Sequence, residues 1–194
     1  MHISKLSLVN YRNFANAKLK FSKGINTVVG ENGAGKTNAF RAIRLLLDDN
    51  MVRSAHRLDE SDFHRGIGSW KGHWIVISLE FEEVSKDEPI QALFLHGTGV
   101  MDEGSVGRAT YNLIFRPNQE IRSRLASLKS GDKAGLAVIL DPVTIEDYET
   151  VFTGRSEADF NDGAFYKKVV GDFELVEFGK DSLTPLPTFR ACFA

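Results

Sequence analysis

Cysteine occurs once in the 194 residues, as Cys192. A lone thiol cannot close an internal disulfide and cannot form a zinc-binding thiol cluster, so a reducing compartment, the cytoplasm by default, is expected. Long hydrophobic runs are also missing. No window approaches the roughly 18 uninterrupted apolar residues that a membrane span needs, so no membrane partner is expected. His2, Ser4, Lys5 and Ser7 interrupt the start, and no signal-peptide core is expected directly after Met1. Nor is there a surplus of one charge. The 24 Lys and Arg stand against 26 Asp and Glu, for a net charge of -2. That balance does not announce a nucleic-acid surface, and the local basic residues Arg116, Arg122, Arg124 and Lys129 read as a solvated face. Repeats and low-complexity tracts are absent. What remains is a chain long enough for one good hydrophobic core and short for two, so a single domain over residues 1–194 is expected.

Apolar periodicity predicts the elements. Ile3, Leu6, Leu8 and Val9 suggest a first strand that ends at the turn Asn10-Tyr11-Arg12-Asn13-Phe14. Ala17, Leu19 and Phe21 then alternate with Lys18, Lys20 and Ser22, the period of a half-buried strand. Residues 25–29 (Ile-Asn-Thr-Val-Val) are short and β-branched and predict a central strand buried on both faces. From Lys36 the spacing changes to three and four. Phe40, Ile43 and Leu47, with Ala39, Ala42 and Leu46 beside them, predict an amphipathic helix whose Arg41, Arg44 and Asp48 face outward. A polar stretch to Gly72 reads as a long surface loop. Ile75, Ile77, Leu79 and Phe81 predict a strand that forms a hairpin with residues 92–96. A further strand is predicted over residues 110–116, a short helix over 119–129 and a late strand over 171–178.

Between the third predicted strand and the helix lies Gly30-Glu31-Asn32-Gly33-Ala34-Gly35-Lys36-Thr37. This satisfies the G-x-x-x-x-G-K-[ST] phosphate-loop pattern in the strand–loop–helix setting that the pattern requires. Gly30, Gly33 and Gly35 free the backbone to turn its N–H groups, including those of Asn32, Ala34 and Asn38, toward phosphate oxygens at a helix N-terminus. Lys36 is expected to reach the β- and γ-phosphates and the Thr37 hydroxyl to ligate Mg²⁺. Nucleoside triphosphate binding, with ATP and Mg²⁺ as ligands, is the leading functional expectation, and the fold expected is an α/β P-loop NTPase.

With the phosphate loop placed, the order of segments becomes informative. The strand from Ile3, the run Asn10-Tyr11-Arg12-Asn13-Phe14, a second strand, residues 25–29 and the loop at residues 30–37 together resemble the N-terminal lobe of the RecF, SMC and OLD ATPases, which are ABC-type heads. Ser61-Asp62-Phe63-His64 and residues 75–81 look more like the OLD type. The resemblance implies a mixed sheet around the P-loop helix with an antiparallel β portion, and paired heads that sandwich ATP, hence a homodimer or larger homo-oligomer. It implies DNA as the partner of the complete assembly, in DNA repair or anti-phage defence. It also places Arg12 close to the nucleotide or to the lobe interface.

Such a head hydrolyses ATP with a Walker B acid, a Ser-Gly-Gly signature and a switch histidine. None is convincing here. The best Walker B match, Ala137-Val138-Ile139-Leu140-Asp141, has Pro142 where a catalytic Glu belongs and reads as a decoy strand. Catalytic residues are therefore left unassigned, and nuclease activity is not expected from this chain alone. Asp59, Asp62 and His64 mimic a metal cluster but read as solvated loop residues. The apolar-rich end, residues 183–194, predicts that a longer protein continues. A nucleotide-dependent regulatory subunit that binds ATP without turnover is the alternative. A P-loop kinase is disfavoured because no lid with paired arginines is evident.

Overall fold

The computed structural model of the chain describes residues 1–48, 58–84, 99–102, 105–154 and 159–179. Strand β1 (His2–Tyr11) turns at Arg12 and Asn13 into β2 (Phe14–Lys20), with Tyr11 opposite Phe14 and Leu8 opposite Ala17. The expected alternation holds along β2, where Ala17 and Leu19 are half-buried while Lys18 and Lys20 face water. β1 also pairs with β3 (Ile75–Glu82), and β3 with the long β5 (Ser105–Pro117). On the far edge of β5 lie β4 (Gly99–Asp102) at one end and β6 (Tyr148–Thr153) at the other. All these pairings are antiparallel.

Helices cover both faces, which makes the fold α/β as expected. On one face α1 (Lys36–Leu47) lays Ala39, Ala42, Leu45 and Leu46 against Leu6, Leu8, Ile77, Leu79, Tyr111 and Leu113. Ala39 and Ala42 are buried on the face that meets the sheet. The expected stripe is rotated toward Ala39, Ala42, Leu45 and Leu46: Phe40 is 54% exposed, and Ile43 and Leu47 are only half-buried. On the other face α4 (Gly163–Val170) and Phe160 cover Val9, Trp74, Val76 and Ile114. Between β5 and β6 the chain makes α2 (Gln119–Ala126) and α3 (Lys133–Leu140), which bury Ile121, Leu125, Ile139 and Val143 in a third cluster with Trp70 and Tyr148.

Several expectations are corrected. Residues 25–29 form no strand and pair with no described strand, and Ile25 and Val29 are 97% and 86% exposed. β-Branched composition favours extended backbone, but only a neighbouring edge makes it a strand. Residues 171–178 form a tight turn closed by Asp172 and Glu177, with Glu177 N–H donating to Asp172 O at 3.0 Å. Residues 137–140 belong to α3, capped by Asp132, and not to a strand. The stretch after Leu58 is only partly the expected surface loop: Asp59, Glu60, Ser61 and Arg65 are exposed, but Leu58, Asp62 and Phe63 are buried, and Phe63 meets the rings of Trp70, Phe115 and Tyr148 at 5.6 to 5.9 Å. Arg116 is buried too, its Nε 3.1 Å from Glu149 Oε1 and its guanidinium 5.3 Å from the Trp74 ring centroid. Residues 92–96 and 183–194 lie outside the described residues, as do those expectations.

Candidate functional site

The glycine-rich loop emerges at the N-terminus of α1. Gly35 holds the N-cap position with φ +99°, a left-handed conformation that favours glycine, and Gly33 has φ +86°. No described side chain caps this helix. The contrast with its neighbours is informative: Asn118, Asp132 and Asp162 each accept a backbone N–H at the start of α2, α3 and α4. The first N–H groups of α1 are thus left for an external acceptor, where the helix dipole favours negative charge.

A hollow of about 180 Å³ opens at this end, lined by Asn32, Gly33, Gly35, Lys36, Thr37 and Asn38. Its lining is glycine backbone, one ammonium, one hydroxyl and two amides, a set of donors suited to a phosphate chain. Thr37 is exposed, and its hydroxyl, like the amide oxygens of Asn32 and Asn38, is an oxygen donor of the kind that meets a divalent cation. Lys36 Nζ donates to Gly30 O at 2.6 Å and to Glu31 O at 2.8 Å, which draws the loop around the ammonium. Ala34 N–H donates to Glu31 O at 3.2 Å within the loop. Gly30, Asn32 and Ala34 are all exposed there.

The β1–β2 turn forms the adjoining wall. Asn38 Nδ2 donates to Asn13 Oδ1 at 2.8 Å, and Asn13 Nδ2 reaches Ala34 O at 3.4 Å. Arg12 Nη1 donates to Asn38 Oδ1 at 3.2 Å, while its Nε donates to Asp62 Oδ1 at 2.7 Å. The turn, the loop and α1 are therefore fastened together by amide side chains. Arg12, singled out in the sequence, stands at this junction and is no free surface arginine. Asn13 and Asp62 are the members that sequence reasoning missed. Asn13 lay inside the Asn10-to-Phe14 run without a role, and Asp62 was read as solvated although it is 1% exposed. Asp59 caps the short turn that carries Asp62, and His64 reaches the β1–β2 turn itself. Asp59 accepts from Ser61 N–H at 2.7 Å, and His64 Nδ1 lies 3.0 Å from Arg12 O. Among the described residues no group of His, Cys, Asp and Glu could hold a metal ion, and no helix is long and apolar enough to cross a membrane.

Comparison with known proteins gives this geometry a family. The family model for the AAA ATPase domain matches residues 1–152. The DNA replication and repair protein RecF of Oceanobacillus iheyensis is 50% identical over 46 residues, 24% of this chain and 12% of its own length. RecF of Bacillus thuringiensis is 28% identical over 167 residues, 80% of this chain and 43% of its own. The chain thus spans less than half the length of the curated relatives it matches. A solved structure from work on ATP-driven dimerization and DNA-stimulated activation of SMC ATPases is 19% identical, with a TM-score of 0.38, covering 62% of this chain and 65% of that one. With more than half of its residues matched by the family model, and its glycine-rich loop at the uncapped start of α1, the chain belongs to the AAA ATPase domain family.

Proposed function

We propose that this chain is the ATP-binding lobe of a DNA-directed ATPase of RecF type. The observation that carries the reading is the uncapped N-terminus of α1, with the Lys36 ammonium and the Thr37 hydroxyl beside it in one hollow. Gly30, Asn32, Gly33, Ala34, Gly35 and Asn38 surround the phosphates with backbone and amide donors, Lys36 neutralises the β- and γ-phosphates, and Thr37 ligates Mg²⁺. Arg12 adds a second cation at the wall. Bound ATP supplies a phosphoanhydride whose cleavage releases free energy, and the lobe's own contribution is binding and orientation.

Turnover on this reading needs an acid brought from elsewhere. The apolar run with an aspartate, residues 137–141, is helical and far in character from the strand end that such an acid occupies. Hydrolysis is completed by a further part of the protein or by a paired head, and DNA is the target of the full assembly in DNA repair, as with the RecF relatives. The OLD-type likeness at residues 61–64 extends the proposal to anti-phage defence. A second reading, ATP binding without turnover in a regulatory subunit, is favoured by the same helical run. A cytoplasmic location fits either.

Calorimetry with Mg²⁺-ATP on the chain and on Lys36→Ala, with phosphate release followed in the same samples, tests both. Binding that is lost in Lys36→Ala, without turnover in either sample, supports the lobe. Turnover by the chain that vanishes in Lys36→Ala removes the regulatory reading. A folded chain that binds no nucleotide overturns the proposal.

A further inference from the structure

The phosphate-loop pattern does not explain why Asp62 is buried beside an arginine that hydrogen-bonds Asn38, a residue lining the hollow. Arg12 sits in a two-residue hairpin turn with φ +52°, and Asn10 before it has φ +53°. Both are left-handed conformations that residues with side chains seldom adopt without support. The support comes from residues 59–64. Arg12 N–H donates to Asp62 O at 2.7 Å, His64 N–H donates to Asn10 O at 3.0 Å, and Tyr11 bridges Phe63 in antiparallel fashion. The side chains repeat the clamp. Asp62 Oδ1 accepts Arg12 Nε, while Asp62 Oδ2 accepts Asp59 N–H at 3.1 Å and lies 4.0 Å from Arg41 Nη2. The carboxylate is held by its own capping box, so it cannot follow the arginine; the arginine must come to it.

One end of the guanidinium is thereby fixed on Asp62, and Nη1 is delivered to Asn38, which lines the hollow next to Thr37. We propose that Asp62 is a positioning residue for nucleotide binding, which holds the Arg12 guanidinium against Asn38 so that its charge meets the bound phosphates without reorganising. The inference rests on the nucleotide-binding reading above. Its physical content is preorganisation: an arginine in an exposed turn samples many rotamers, and a buried carboxylate selects the one beside the phosphate hollow.

A double-mutant cycle on Mg²⁺-ATP affinity tests it, with the unfolding midpoint of each variant measured alongside. Arg12→Ala is expected to weaken binding by roughly tenfold, the scale of one charge-assisted contact. Asp62→Asn keeps the shape, removes the charge and is expected to lose nearly as much. The double variant is expected to bind no worse than Arg12→Ala, because Asp62 acts through Arg12. A merely structural role gives the opposite pattern, with losses that multiply in the double variant and follow stability. Native affinity in folded Asp62→Asn, or multiplied losses, overturns the inference. If Asp62→Asn does not fold, Arg12→Lys decides: it keeps a positive charge but lacks the Nε donor, and a loss as large as that of Arg12→Ala supports positioning, whereas native affinity overturns it. Binding by the native chain that is lost in Lys36→Ala but unaffected in Asp62→Asn removes this inference alone. A folded native chain without nucleotide binding removes it together with the reading beneath it.

Discussion

Phe14 stands over Gly35. A Cβ built on Gly35 would lie 2.8 Å from Phe14 Cζ and would also collide with the Asn13 side chain, at a residue whose φ of +99° already disfavours any side chain. The contact joins the N-terminal hairpin to the start of α1, so the geometry of the loop depends on a strand turn some twenty residues earlier in the chain.

Gly33 offers the control. Its φ is +86°, but nothing lies within 4 Å of its built Cβ. Gly33→Ala is expected to cost about 1 kcal/mol of stability through backbone strain alone. Gly35→Ala is expected to cost more, about 2 to 4 kcal/mol, because overpacking adds to the strain, and to weaken nucleotide binding further than Gly33→Ala does. Urea unfolding followed by circular dichroism, with nucleotide titration, checks both. Equal effects at the two positions would show that Phe14 and Asn13 move aside.

Arg116 and Glu149 supply a second test, in the core of the sheet. The Arg116 side chain is 3% exposed, and its partner Glu149 also receives Arg122 Nη1 at 2.6 Å. Glu149→Ala leaves a buried guanidinium facing a second cation. Loss of about 2 kcal/mol or more is expected in urea unfolding, tempered by the partial exposure of Glu149 itself. A loss under about 0.5 kcal/mol would show that water reaches Arg116 in the variant.

His73 links stability to pH. Burial depresses its pKa from 6.5 to about 4, and its ring stacks on Phe173 with centroids 4.1 Å apart. The folded state therefore holds this histidine neutral, while the unfolded chain protonates it near pH 6.5. Its stabilising contribution is complete above pH 6.5 and is lost as the pH falls through 6.5 toward 4, by on the order of 3 kcal/mol at most. His73→Phe keeps a ring on Phe173 and cannot take the proton. Unfolding free energies measured from pH 7 to pH 4 are expected to fall less steeply in His73→Phe than in the native chain; parallel slopes would place the titrating group elsewhere.

Legibility from sequence followed the range of the interactions involved. The alternation of Ala17 and Leu19 with lysines, and the three-and-four spacing after Lys36, are local patterns, and both became the elements they predicted. Asn32, Gly33, Gly35, Lys36, Thr37 and Asn38 gather in one hollow because they are close in sequence, while Gly30 and Ala34 stand outside its lining. Asp62 escaped because its partner lies fifty residues away, and no local pattern marks an aspartate that will be buried by a distant arginine. Arg116 was misread for the same reason: a charge pairs across strands whose register composition does not encode. Residues 137–140 show the converse. Four apolar residues fit a strand or a helix equally, and the cap at Asp132 decides.

Residues 25–29 yield the last prediction. They are rich in β-branched residues, lead directly into the glycine-rich loop, and expose Ile25 and Val29 almost completely. Because these side chains bury nothing against the described core, replacing them removes no packing. The double substitution Ile25→Lys and Val29→Lys is expected to change the unfolding free energy by no more than about 0.5 kcal/mol. The same substitution removes two large apolar groups from water, so binding of an apolar dye and concentration-dependent association of the chain are both expected to fall. Thermal unfolding, dye fluorescence and light scattering on the native and doubly substituted chains make the comparison. A melting temperature lowered by several degrees would mean that the segment packs into the lobe in solution. Unchanged stability with reduced association would show that residues 25–29 present an apolar surface that is unpartnered among the described residues and is available for association.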